Sequence, residues 1–116
     1  MAKKYNKPIT AAVFPNWESV RQQWHRWDLD GFLPMLYHGF YNEDVNWIGE
    51  EMKKAKNRLA AAHNPKNVYS GLFIPHLSPQ EIAPAIKTAK ENGASGFSLF
   101  DLGSISEDHW KALEKV

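Results

Sequence analysis

Four short apolar runs, each followed by a stretch whose apolar residues recur every three or four positions, set the rhythm of this 116-residue chain. Residues 8–14 (PITAAVF), 31–37 (GFLPMLY), 68–75 (VYSGLFIP) and 96–102 (GFSLFDL) are β-branched, aromatic or otherwise apolar and almost uncharged, and each predicts a strand. The second run carries no charge at all, the pattern of a strand buried on both faces. After the first run, Asn16 is placed to cap a helix whose inner face is Val20, Trp24 and Trp27, at i, i+4 and i+7. Asn42 is placed to cap the next, with Glu43 and Asp44 in its first turn. Val45, Ile48, Met52, Ala55 and Leu59 keep its period, and Glu50 and Lys54 form an i,i+4 pair. Ser78-Pro79-Gln80-Glu81 is a capping box with proline at the first helical position. It opens a helix with Ile82, Ala85, Ile86 and Ala89 inside, a bend expected at Pro84 and Gly93 at its end. Ser106 opens a last helix with Trp110 and Leu113 on its inner face.

The chain therefore reads strand–helix four times with no hairpin signal, within a single domain of residues 1–116. Such a rhythm predicts an α/β fold with a parallel sheet and right-handed crossovers. Two architectures fit: a small open doubly wound sheet, or half of a (β/α)8 barrel, since a whole barrel takes about 250 residues. The receiver form of the open sheet needs an acidic cluster after the first strand and a late lysine, and a nucleotide-binding form needs a glycine-rich loop. The PNWES segment after the first strand is neither.

Composition narrows the partners. Fourteen Lys and Arg against thirteen Asp and Glu leave a net charge of +1, too even for a nucleic-acid footprint. The Lys53–Arg58 piece lies on a predicted helix among glutamates, the pattern of a solvated face. Cysteine is absent, which removes disulfides and thiolate metal sites. No apolar run approaches a membrane span, and MAKKYNKP lacks the core of a signal peptide. An exported parent, periplasmic or at the cell surface, is compatible with these residues, so the compartment stays open. Fifteen aromatic residues stand out, several of them near predicted strand ends, as in a surface built to stack on something flat.

The runs VFPNWESVRQQW, PMLYHGFYNE and GFSLFDLG resemble the C-terminal half of bacterial glycoside-hydrolase-like (β/α)8 barrel proteins. The resemblance covers residues 9–110. It implies strands five to eight of a barrel whose first four strands are not in this chain, and a mouth that faces carbohydrate. Well-studied glycosidases carry a catalytic Glu at the end of the seventh strand. The matching position here is Pro75-His76, so the isolated chain is expected to be inactive.

Most glycosidases use two carboxylates, about 5 Å apart for retention and about 6.5–9.5 Å for inversion. Asp101 is the one carboxylate expected at the C-terminal end of a strand and is the first candidate for an acid, base or orienting group. A loop aspartate bonded to nearby backbone is the competing reading. Glu43, after the aromatic loop, is the second candidate, against a role in the helix dipole alone. Tyr37, His38, Phe40, Tyr41, His76 and Trp17 follow strand ends and are the candidates for sugar binding, with Phe40 and Trp17 able instead to cap the core. His25, His63 and His109 fall on helices or helix ends, where surface roles are expected. No local spacing such as H-E-x-x-H supports a metal, and no cofactor is expected. Four strands cut from a barrel leave two open edges and one uncovered face, so the expected partners are a glycan and either a second copy, as a homodimer, or an N-terminal half-barrel. A non-catalytic binding or assembly half-barrel and a self-contained open α/β domain are the alternatives.

Overall fold

The computed structural model describes the backbone of residues 3–116 and the side chains of these residues apart from Lys3, Trp17 and Glu18. Strands β1 (Thr10–Val13), β2 (Gly31–Pro34), β3 (Asn67–Phe73) and β4 (Gly96–Phe100) form one sheet in the order β1-β2-β3-β4, every pair parallel. The helices are α1 (Trp17–Val20), α2 (Val45–Ala61), α3 (Pro79–Glu91) and α4 (Glu107–Leu113). The α/β reading with a parallel sheet is thus correct. A doubly wound sheet reverses its strand order partway. Here the order never reverses, so right-handed crossovers put the long helices side by side on one face.

Alternation along the strands divides the two faces. Val13, Phe32, Leu36, Val68, Leu72 and Ile74 point toward the helices and are buried, meeting Ile48, Met52, Ala55 and Leu59 of α2 and Ile82, Ala85, Ile86 and Ala89 of α3. Each large apolar side chain removed from water there contributes about 1.5–3 kcal/mol. The opposite face carries Ala12, Leu33, Met35, Tyr69, Phe73, Ser98 and Phe100, all partly or fully exposed. β2 is therefore buried on one face and only half covered on the other, because none of the described helices crosses the second face.

The strands are shorter than their apolar runs. Pro75 and His76 lie in a 3-10 turn (Ile74–His76), and Leu36 and Tyr37 follow β2 in irregular backbone, held by the bond from Leu36 N–H to the Gly71 carbonyl at 3.1 Å. The first helix is also shorter than its periodicity. α1 makes one turn, Arg21 adopts a left-handed φ of 57°, and Trp24–Arg26 forms a separate 3-10 turn. Two side-chain bonds hold this break. Gln22 Oε1 accepts from Phe14 N–H at 2.6 Å, and the Trp24 indole donates to the Phe14 carbonyl at 3.0 Å. Trp24 is buried against Phe32, with ring centroids 5.0 Å apart, while Val20 and Trp27 are exposed and share no buried stripe with it.

α2 is capped by Asp44, whose Oδ1 accepts from Asn46 N–H at 2.9 Å; Asn42 instead ends the preceding turn at φ 55°. Lys54 pairs with Glu51 at 3.8 Å, one position along from the expected Glu50. The capping box at α3 is present, with the Glu81 carboxylate accepting from Ser78 N–H at 2.9 Å, and the helix runs unbroken through Pro84. Gly93 follows it at φ 104°, where a side chain would be strained. In α4, Leu113 packs on the core, but Trp110 is exposed. His109 takes the inner place, buried, with Nε2 2.6 Å from the Leu77 carbonyl and Nδ1 3.1 Å from Ser106 N.

Candidate functional site

The uncovered face ends in aromatic rings at the C-terminal ends of the strands. Phe14 follows β1, Tyr37 follows β2 by three residues, Phe73 closes β3 and Phe100 closes β4. Strand alternation puts all four on the face away from the helices, and the register Phe73 opposite Phe100 sets those two side by side. Their rings lie 6.0 Å apart and nearly parallel, at 15°. Tyr37 lies 5.2 Å from Phe73 and 6.3 Å from Phe100. With Met35, Phe40 and Tyr41 these rings line an open groove of about 520 Å³.

The loop after β2 supplies one wall. His38–Tyr41 is a 3-10 turn that lifts Phe40 over Phe73 and His76, with centroids 4.9 and 5.0 Å away. Tyr41 is fixed twice: its ring stacks on Trp47 at 4.8 Å, and its hydroxyl donates to Asn16 Oδ1 at 3.0 Å. Burial raises the pKa of Tyr37 and Tyr41, and Glu51 adds to the rise at Tyr41. Both phenols are therefore hydrogen-bond donors at neutral pH.

The two histidines part company. His76 is exposed and stands edge-on to Phe73 at 4.8 Å. His38 is buried beneath the loop, with its imidazole bonded to the His76 backbone and Nδ1 left without a partner. Burial lowers its pKa and the neighbouring His76 ring reinforces the shift, while Glu81, the bond to the His76 backbone and Asp44 oppose it. His38 is therefore a neutral support under the groove and lines no part of it.

The carboxylates stand apart from the rings. Asp101 is exposed just past β4, accepts the Ser104 hydroxyl, and follows a cis peptide bond from Phe100. Glu43 is exposed between Asn42 and the cap residue Asp44, outside α2 and its first turn. Neither lines the groove. Trp17 opens α1, and its side chain lies outside the described residues. Among the described residues no group of three His, Asp or Glu side chains gathers as a metal ion would require.

Met35 and Phe73 are groove residues that strand-end chemistry does not single out, because each lies inside an apolar run. Alternation was the available signal: positions 69, 71 and 73, like 96, 98 and 100, share one face.

Fold and groove together define an α/β protein with a singly wound four-stranded parallel sheet and an aromatic groove at the strands' C-terminal ends. No family model, curated protein or solved structure matches the chain. No helix among the described residues is long and apolar enough to cross a membrane.

Proposed function

We propose that this chain is the carbohydrate-facing half of a (β/α)8 barrel of the glycoside-hydrolase-like type, corresponding to its last four strands. One observation carries the reading: Tyr37, Phe73 and Phe100 cluster at the strand ends, where parallel α/β folds bind ligands, with Phe73 and Phe100 15° from parallel and Tyr37 inclined to them by 31° and 27°. The apolar face of a pyranose ring stacks on such rings, while Tyr37 and Tyr41 in the groove lining offer hydroxyl groups to sugar hydroxyls. The strand order and the bare second face support the half-barrel geometry.

The non-catalytic form of this reading is favoured, because among the described residues no carboxylate lines the groove. Hydrolysis needs two of them across one bond. The isolated chain holds glycan without cleaving it.

Titration calorimetry against a panel of soluble oligosaccharides tests the reading. Binding by the wild-type chain is expected to weaken about 3- to 10-fold in Phe100→Ala, the loss of one aromatic stacking contact. Phe100 is 55% exposed, so its removal should leave the fold intact. Wild-type binding to no member of the panel, or equal binding by the variant, counts against the reading.

A further inference from the structure

The chain has more surface than its mass predicts. A monomer of 13.3 kDa exposes about 6,450 Å². This one exposes 7242 Å², an excess of about 800 Å². Its radius of gyration is 14.5 Å, against about 13.4 Å for a compact domain of this length. Part of the excess lies on the sheet face away from the helices, where Leu33, Met35 and Tyr69 are partly exposed and Ala12, Phe14, Ser98 and Phe100 are exposed. One partner's share of a standard protein–protein interface is about 800 Å², so the surplus equals what a stable dimer covers.

Among the described residues no strand pairs with the outer edge of β1 or of β4. Ile9 and Val13 turn their carbonyls toward the second strand, accepting from Asp30 and Met35 at 2.8 Å each, so Thr10 and Ala12 turn their backbone groups outward. At the other edge Ser95 donates inward to Val68 at 2.8 Å, so Gly96 and Ser98 turn theirs outward. Edge strands are commonly blunted by lysine, proline or inward-pointing charge. Neither β1 nor β4 contains a charged residue or a proline. Only the top of the β1 edge is blocked, where Gln22 and Trp24 occupy both backbone groups of Phe14.

We infer that a second copy of this chain covers the open face, with β4 of each copy pairing in parallel with β1 of the other about a two-fold axis. The inference rests on the half-barrel reading for the direction of closure. A second copy is the partner whose free edges necessarily match in number and polarity, and a net charge of +1 sets up little repulsion between copies. The join uses Thr10 and Ala12 against Gly96 and Ser98. It closes an eight-stranded ring and brings two aromatic grooves to one mouth, so each copy completes the other's site.

Light scattering on a sizing column, across a hundredfold range of concentration, tests this. The wild-type chain is expected to reach twice 13.3 kDa and to dissociate on dilution. Ala12 and Ser98 are exposed on the edge strands, so Ala12→Lys and Ser98→Lys should each shift the dissociation midpoint upward at least tenfold, with far-ultraviolet dichroism unchanged. Lys53→Glu, on the outer side of α2, should leave it in place. A monomer at every concentration, or a dimer indifferent to both lysines, overturns the inference. A monomer that still binds oligosaccharide keeps the glycan reading and removes only the second copy. A dimer sensitive to both lysines that binds no sugar keeps the second copy and removes the glycan.

Discussion

Gly39 lies against the His76 imidazole so closely that a single methyl group on it would overlap the ring. The loop after β2 and the turn after β3 are thus fitted together without room for a Cβ. Gly39→Ala should push His76 and the neighbouring Phe40 out of place, at a cost of about 1–3 kcal/mol. Urea denaturation reads the stability, and His76 ring resonances in NMR spectra read the displacement. An alanine variant with wild-type stability and an unmoved His76 would show that the loop has slack.

Trp24 joins the helix layer to the β1 edge. Its indole is buried against Phe32 and donates to the Phe14 carbonyl at 3.0 Å. Trp24→Phe keeps an aromatic ring but removes the donor and part of the volume, and should cost about 1–3 kcal/mol. It should also free the top of the β1 edge. Amide exchange at Phe14, whose N–H donates to the Gln22 side chain, and at Trp24, whose N–H donates to the Gln22 carbonyl, would then rise well above the sheet average; unchanged protection there would refute the tie.

His109 bridges α4 to the segment before α3, with Nε2 2.6 Å from the Leu77 carbonyl. His109→Ala leaves that buried carbonyl unpaired and should cost about 1–3 kcal/mol. His109→Gln can still present a donor and should recover part of the loss. Equal stability of the two variants in thermal melts would mean that the hydrogen bond contributes nothing and packing is the whole effect.

Stability should fall as the solution is acidified. Burial lowers the His38 pKa below its ordinary 6.5, and burial with Arg26 and Arg58 does the same at His25. The folded chain then takes up protons later than the unfolded chain as pH drops. The stability contributed by neutral imidazole is complete above 6.5 and is lost progressively as pH falls below it toward the lower folded values. Melting temperatures from about pH 7.5 to about pH 5 should decline, and less steeply in His38→Gln. A His38→Gln profile parallel to wild type would remove His38 from the account.

Local signals in the chain located the elements well and their ends less well. The capping box at Ser78 and the apolar period of α2 are both realised, since each depends on residues within a few positions of one another. The helix expected through Val20, Trp24 and Trp27 breaks because two side-chain bonds back to Phe14, at the end of β1, outweigh its period. Trp110 and His109 exchange their expected places: the imidazole has two backbone partners available, the Leu77 carbonyl and the Ser106 N–H, and the larger indole stays in water. The strand-end positions of Tyr37 and His76 were legible. That His38 would sink beneath them was not, because its burial depends on the turn into Phe40.

Alone, the sequence determined that four strand–helix units follow one another, that the sheet is parallel, and that aromatic residues cluster near strand ends. Those properties reside in periodicity, caps and connection lengths, which are local. The tertiary structure decided that the strands lie in chain order with the helices on one side, and which rings face each other across the bare side. It also set both carboxylates away from the groove. Those outcomes depend on register between distant strands and on competition among side chains for the same backbone groups, which no local pattern encodes.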